Sequence, residues 1–328
     1  MKDGEKLNFI RENFRWGFKN YTTEFSMLVI FIVFFAIMSF AAAPYFSRVN
    51  NILNVISQIA VTAIIAIGQT YVIITAGIDL SVGSILALSG MLGGMTLFYQ
   101  QNIFVAMAVA ILTAAAAGLF NGLLVGVAKI PAFIVTLGTM GIASSLTYVI
   151  SNGNSYAQFP KVYSALGNDA LFGVPYYLIL VILLFVIGSF VLVKTKLGRM
   201  LYAIGSNEEA VRLSGVNVKL YIVLPYVITG FLTGIAAIVN SSRLMAVDPT
   251  MGKDLQMDTL AAVVIGGTSL AGGRGSLFGT AIGVLLIGFL RNSLNLLGVN
   301  PFWQGTAVGG VIIVAVLAER LRTLRQER

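Results

Sequence analysis

KTKLGRMLYAIGSNEEAVRLSGVNVK, residues 194–219, is the only long charged break inside an otherwise apolar chain, and long hydrophobic segments flank it on both sides. Inside it lies Glu209-Ala210-Val211-Arg212-Leu213-Ser214-Gly215, an acid, small residues, a base and a glycine in close succession. A membrane protein that moves a solute unaided has no need of such a segment. One driven by a soluble partner needs a surface for that partner to hold. The stretch therefore reads as a docking loop set between two blocks of membrane helix.

Composition supports the membrane reading. The 328 residues are 57% hydrophobic and 10% charged, with a mean hydropathy of +0.90, whereas a soluble domain carries about 25% charge. Several apolar runs approach the roughly 20 residues needed to span a bilayer. In lipid a chain of this kind satisfies its backbone as helices, so the expected fold is an all-α polytopic membrane protein. The net charge of +8 raises the question of nucleic acid, but its distribution along the chain fits membrane orientation instead, and no nucleic-acid partner is expected. There is no cysteine and no histidine. That excludes disulfides, thiol nucleophiles, Cys/His zinc sites, haem ligation through His and His-based acid–base catalysis.

Residues 1–24 carry Lys2, Lys6, Arg11, Arg15 and Lys19, and Ile10, Phe14 and Phe18 fall on one helical face. They read as a cytoplasmic amphipathic segment, an interfacial helix or a solvated tail. The apolar run 25–43 ends in Ala41-Ala42-Ala43, which resembles a signal cleavage site. It exceeds the about 7–15 residues of a signal h-region and reads as a retained first span. Further spans are expected at 52–76, 80–98, 103–127, 131–150, 175–193, 220–241, 256–269, 276–297 and 302–318, about ten in all. The eighth, 256–269, is short for a bilayer. The membrane-spanning body would cover 25–318, with a basic cytoplasmic tail at 319–328. With the N-terminus inside, 16 of the 21 Lys and Arg residues fall on the inner side. Arg48, Lys161, Arg243, Lys253 and Arg291 are the exceptions. The bias puts both termini and the 194–219 loop in the cytoplasm, and it holds only if the short eighth element crosses.

A faint internal repeat is legible. Gly118-Leu119-Phe120-Asn121, Gly126-Val127 and Pro131 are echoed by Gly288-Phe289-Leu290-Arg291-Asn292, Gly298-Val299 and Pro301, the prolines 170 positions apart and on opposite sides of the expected membrane. Inverted repeats of this kind are common in transporters. Gly118, Gly122 and Gly126, and likewise Gly275, Gly279 and Gly283, recur at helical spacing and predict close helix packing.

Asp79 breaks a long apolar run in Gly77-Ile78-Asp79-Leu80-Ser81-Val82-Gly83-Ser84. An acid at membrane depth marks a solute path or gate, or else caps the third span; the cap is favoured. Asp79, Ser81, Asn121, Thr136, Asn292 and Asn295 are the polar candidates for a translocation path, the asparagines having interhelical hydrogen bonding as their plainer role. The glycine-rich run 266–276 lacks the Lys of a phosphate loop and reads as a tight inside turn. No Walker A sequence is present, so this chain is not expected to bind ATP by itself.

Five stretches in order, GIDLSVGS (77–84), PAFIVTLGT (131–139), LGRMLYAIGSNEEAVRLSGVNV (197–218), AAVVIGGTSLAGGRGS (261–276) and LNLLGV (294–299), resemble the permease subunit of bacterial ABC sugar importers of the ribose type. The resemblance runs from about residue 45 to 318. It implies two permease chains forming a pore, a separate cytoplasmic ATPase, an extracytoplasmic sugar-binding protein, and a place in the bacterial inner membrane among its lipids. It also implies that this chain is not itself an enzyme and that 205–215 couples it to the ATPase through Gly205, Asn207, Glu208, Glu209, Ala210, Arg212, Leu213 and Gly215. Glu208, Glu209 and Arg212 would pair across that interface. Glu209, Ala210 and Gly215 also keep the E-A-x-x-x-x-G spacing of the broader importer loop. Val211 replaces its second Ala, and Ile222-Val223-Leu224-Pro225 follows Gly215 more closely than the wider motif has it.

The expected cargo is a monosaccharide, ribose or a relative. The alternatives are another sugar, an autoinducer-type sugar derivative or a nucleoside. A secondary transporter coupled to an ion gradient is the rival class; Asp79 and Asp258 are nearly its only intramembrane carboxylates. A membrane-embedded enzyme is disfavoured by the missing His and Cys.

Overall fold

The structure is a computed structural model that describes residues 25–326; the amphipathic segment expected at 1–24 lies outside the described residues. The chain runs through α1 (Phe25–Ala41), α2 (Val49–Ile74), α3 (Val82–Gln100), α4 (Ile103–Gly126) and α5 (Ala132–Ser151). A short irregular stretch follows, with β1 (Tyr156–Ala157), α6 (Ala165–Asn168), β2 (Ala170–Leu171) and β3 (Val174–Pro175). Then come α7 (Tyr176–Lys194), α8 (Lys196–Ser206), α9 (Glu208–Leu213), α10 (Val218–Leu244), β4 (Ala246–Val247), α11 (Leu255–Ile265), α12 (Leu277–Leu296) and α13 (Gln304–Gln326). Among the described residues seven helices are long and apolar enough to cross a membrane; α1, α11 and the apolar stretch Pro301–Leu317 are shorter. Each expected span thus has its helix. α13 continues past residue 319, where the sequence places a tail.

The core forms around α2 and α10. Every residue of α2 from Ala60 to Ile74 is buried, as expected of a helix that is apolar on all sides and enclosed by others. The two helices run antiparallel: Gly68 faces Thr229, and Val72, nearer the end of α2, clusters with Tyr226 and Ile222, nearer the start of α10. The expected glycine stripe on α4 is pressed against α10. A Cβ on Gly118 would overlap the Tyr226 carbonyl oxygen, and one on Gly122 would lie 2.8 Å from that of Val223. Gly279 and Gly283 bring α12 equally close to the backbone of α11. Gly275, expected on the same stripe, is instead in the preceding turn with φ +155° and abuts Thr268.

The eighth crossing departs from the sequence reading of 256–269. Its helix, α11, has 11 residues, about 16 Å at 1.5 Å per residue, against a hydrocarbon core of about 30 Å. The helix stops at Ile265 and residues 266–269 turn. The rest of the crossing is extended chain lying along α3: Val247 meets Gly94, Met251 meets Gly90 and Gly252 meets Gly83. β4 at its head pairs antiparallel with β1. Irregular backbone survives at membrane depth because here it is buried in protein.

The internal repeat is plain in three dimensions. α2 and α10 begin at Val49 and Val218, 169 positions apart, and α4 and α12 end at Gly126 and Leu296, 170 apart. α4 and α3 pack on α10 as α12 and α11 pack on α2, and α3 meets α5 as α11 meets α13. The breaks that follow α2 and α10 are built alike. Asp79 Oδ1 accepts from the Ser81 amide (2.9 Å) and hydroxyl (2.5 Å). Asp248 Oδ1 accepts from the Thr250 amide (2.7 Å) and hydroxyl (2.5 Å). Gly83 and Gly252, each two residues further on, touch backbone to backbone.

Replacing Gly118 by Leu is expected to separate α4 from α10 and to destabilise the protein by about 1–3 kcal/mol or more. Gly138, which has nothing near its Cβ position, is expected to accept Ala with a gain of up to about 1 kcal/mol. Thermal unfolding of the two variants in detergent, beside the parent, checks both.

Candidate functional site

Most of the expected site residues fall into two groups, one at each end of the 74–81 break. The first is the α8–α9 unit. Thr195 starts α8 by accepting the Gly198 amide (3.4 Å), and Asn207 starts α9 by accepting the Ala210 amide (2.9 Å). Leu201 and Ile204 anchor α8 in the core. Gly205 is wedged against the Ile74 carbonyl, where no side chain fits. The Tyr202 hydroxyl donates to the Gly275 carbonyl (2.7 Å), and the Gly273 amide donates to that of Ile74 (2.9 Å). α8 is thereby seated on the end of α2 and on the glycine-rich turn 266–276.

α9 is the opposite. None of its residues is buried, and Leu213 is 74% exposed. Glu208 and Glu209 occupy its first turn and Arg212 its last, the arrangement the helix dipole favours. Gly215 ends it at φ +78°, with open space around it and its amide donating to the Arg212 carbonyl (3.1 Å). Glu208, Glu209, Ala210, Arg212 and Leu213 are therefore presented outward, while Gly205, Asn207 and Gly215 shape the unit. The acidic side chains also have partners within the chain. Lys129 Nζ lies 2.6 Å from Glu208 Oε1, and Arg212 forms an ion pair with Glu209. Lys129 sits in the loop between α4 and α5. Its only sequence signal is that it is the single charge in that inner connection.

The second group surrounds Asp79. Its carboxylate binds Ser81, Asn121 Nδ2 donates to Ser81 Oγ (2.9 Å), and Thr139 Oγ1 donates to Asn121 Oδ1 (2.6 Å). Thr136 Oγ1 reaches the Ile78 carbonyl (3.2 Å), and Gln69 Nε2 the carbonyl of Asp79 itself (2.6 Å). Four expected path residues, Asp79, Ser81, Asn121 and Thr136, are thus brought together, joined by Gln69 and Thr139, which the sequence did not single out. All six are buried. The residue before α3 is Ser81, whose side chain makes no capping bond; Asp79, expected as the cap, closes a turn outside the helix instead. Gln69 Oε1 and the Tyr226 hydroxyl, which faces Gly77, lack partners among the described residues.

Asn292 and Asn295 lie elsewhere. Asn292 and Asn51 exchange side-chain hydrogen bonds at 2.9 Å, tying α12 to the start of α2. Asn295 accepts from Gln304 (2.6 Å), whose Oε1 accepts from Arg291 (3.2 Å).

The Arg212 guanidinium bonded to Glu209 holds that carboxyl below the usual glutamate range. Its folded value is depressed, so the pair is complete above the ordinary value of about 4.3 and is lost only as pH falls through the lower one. NMR titration of the labelled Glu209 carboxyl should place its midpoint below that of a free glutamate, and Arg212→Gln should bring it back up.

The sequence profile of the family described as branched-chain amino acid transport system / permease component matches residues 51–317. The chain is 42% identical over 298 residues to the ribose import permease protein RbsC of Bacillus subtilis, covering 90% of this chain and 91% of that one. It is 39% identical over 311 residues to the protein of the same description from Haemophilus influenzae, covering 94% and 95%. To the D-allose transport system permease protein AlsC of Escherichia coli it is 36% identical over 310 residues, 94% of each chain. No solved structure matches it.

Proposed function

The chain belongs to the family of branched-chain amino acid transport system permease components, and from that premise we propose that it is the membrane permease of an ATP-binding cassette importer carrying ribose or a close relative. The observation that carries this reading is the pairing of about 40% identity to ribose permeases along nearly the whole chain with a capped helix, α9, that turns only Val211 toward the core and leaves its other side chains exposed. A sugar-binding protein delivers the solute on one side and a cytoplasmic ATPase drives the cycle on the other. ATP and Mg²⁺ belong to that ATPase, and this chain contributes no catalytic group. Two copies form the pore in the inner membrane, in contact with its lipids. The concentration of Lys and Arg on one side supports cytoplasmic termini and a cytoplasmic α8–α9 unit.

The physical route for coupling runs through contacts already described. The ATPase holds α9 by its exposed Glu209, Ala210, Arg212 and Leu213. Glu208 passes displacement to Lys129 and so to the loop between α4 and α5. α8 passes it to Ile74 and to the turn 266–276. Both routes converge on the 74–81 break, whose far end is the Asp79 network. That network is the gate in this reading, switching as α2, α4 and α5 shift against one another. Solute specificity rests largely with the binding protein.

Uptake of labelled D-ribose, D-allose and D-xylose is expected to depend on this chain in cells that supply the ATPase and binding protein. Combining Glu209→Arg with Gly215→Val is expected to lower uptake roughly tenfold or more, on the order of 1.4 kcal/mol in coupling, with membrane insertion unchanged. Full uptake by the double variant would remove α9 from the mechanism. A reporter fused after Arg212 should read cytoplasmic; an external signal would overturn the orientation.

A further inference from the structure

Between α2, α10, α11 and α12 lies a cavity of about 590 Å³, within the about 300–1,000 Å³ usual for small-molecule sites. The Gly83–Gly252 contact separates it from the Asp79 network, and from Thr62 to Gln69 α2 rises about 10 Å. The repeat explains why it exists. In the first half, Gly118, Gly122 and Gly126 let α4 close on α10. The positions 170 later on α12 are Gly288, Asn292 and Leu296. Gly288 still admits the side chain of Ile59, but Asn292 and Leu296 put side chains where the first half has none. The second half stays open where the first is shut.

The wall carries polar groups with nothing to bind. Asn240 is 8% exposed and Thr62 9%, and the side chain of neither makes a hydrogen bond to any described residue. Among the described residues Arg243 Nε is buried without a hydrogen-bond partner, and its guanidinium reaches only Ser57 Oγ at 3.4 Å. Arg291 is held in place by Asp258 and Gln304. It puts both of its bonds to Asp258 on Oδ1 (3.1 and 2.6 Å), leaving Oδ2 as an open acceptor. Asp254 lies at the same wall. Buried polar groups are rarely left unpaired in native proteins, and a half-enclosed set of them facing one space is what a polar ligand completes.

We propose that this cavity is a solute site inside a single permease subunit and that it takes a neutral polyhydroxylated molecule. The proposal rests on the import reading above. Amide and hydroxyl at Asn240 and Thr62 both donate and accept, as every sugar hydroxyl does. Asp254 and Asp258 accept, and Arg243, Lys253 and Arg291 donate, one cation in excess, with Lys253 and Asp254 at the exposed mouth. Ile287 and Met251 supply apolar surface for the carbon face of a ring. The cavity lies beside the 245–254 segment, at the end of the bundle opposite α9, where a solute delivered by the binding protein would enter.

The chain has no cysteine, so Asn240→Cys places a single thiol at the wall. In the complete transporter, with ATPase and binding protein, millimolar D-ribose should slow labelling of that thiol by a small maleimide. D-ribose 5-phosphate should not. Asn240→Leu with Thr62→Val should lower D-ribose uptake roughly tenfold or more through lost hydrogen bonds, while stimulation of ATP hydrolysis by the loaded binding protein persists. Parent-level uptake by the double variant, with no protection by ribose, would overturn the site. Stronger protection by the phosphate would overturn the neutral class. Protection by ribose without any uptake by the parent transporter would refute import and leave the site standing.

Discussion

Inside a bilayer every backbone amide and carbonyl must find its partner within the protein, and this chain breaks its helices at membrane depth twice. The two breaks, after α2 and after α10, are sealed by the same device. An aspartate folds back on the amide and hydroxyl of the residue two ahead, and the glycines that follow, Gly83 and Gly252, rest against each other. Neither break is secured alone. The first is covered by the chain of the second, the second runs along α3, and β1 pins its head through β4. The antiparallel packing of α2 and α10 and the shortness of α11 both follow from bringing these two points together.

The same arrangement sets where the α8–α9 unit meets the bundle. The α8–α9 unit touches the bundle where it is interrupted: the end of α2, the turn between α11 and α12, and the loop between α4 and α5 through Lys129. A continuous helix resists local displacement along its whole length, whereas an interruption can shift while the helices on either side stay intact. Exposed ion pairs such as Lys129–Glu208 contribute at most about 1 kcal/mol, so the link there is one of position more than of strength. Seating through Gly205, Tyr202 and Gly273 is firmer, because it is made by backbone contact and buried hydrogen bonds.

Much of the fold was legible because its signals are local. Apolar runs and the stripe at Gly118, Gly122 and Gly126 each sit within one segment. Asp79, Ser81, Asn121 and Thr136 stood out as polar residues in apolar surroundings, and they do meet. What stayed hidden depends on contacts between distant segments. Asp248-Pro249-Thr250-Met251-Gly252 shares only two identities with Asp79-Leu80-Ser81-Val82-Gly83, so the matching turn shows only as geometry. The extended half of the eighth crossing is not periodic and carries no span signal. Gly275 fits the spacing of Gly279 and Gly283 but precedes the helix. Thr62, Asn240 and Asp258 share no spacing, and nothing in the sequence says they face one space; Arg291, a cation inside an apolar span, was the one available clue.

The unequal glycine content of the two halves has a mechanical consequence. Where α4 meets α10, backbone lies close on backbone at Gly118 and Gly122, with only the stiff, β-branched Val223 side chain reaching into the seam. That seam can only hold or part, so the two helices translate as one stiff body. Where α12 faces α2, the contact is made by Ile59, Val284 and Leu285 around open volume, and rotamer changes can absorb small displacements. The chain therefore has a rigid half and a compliant half, and a push delivered evenly to both would deform only the second.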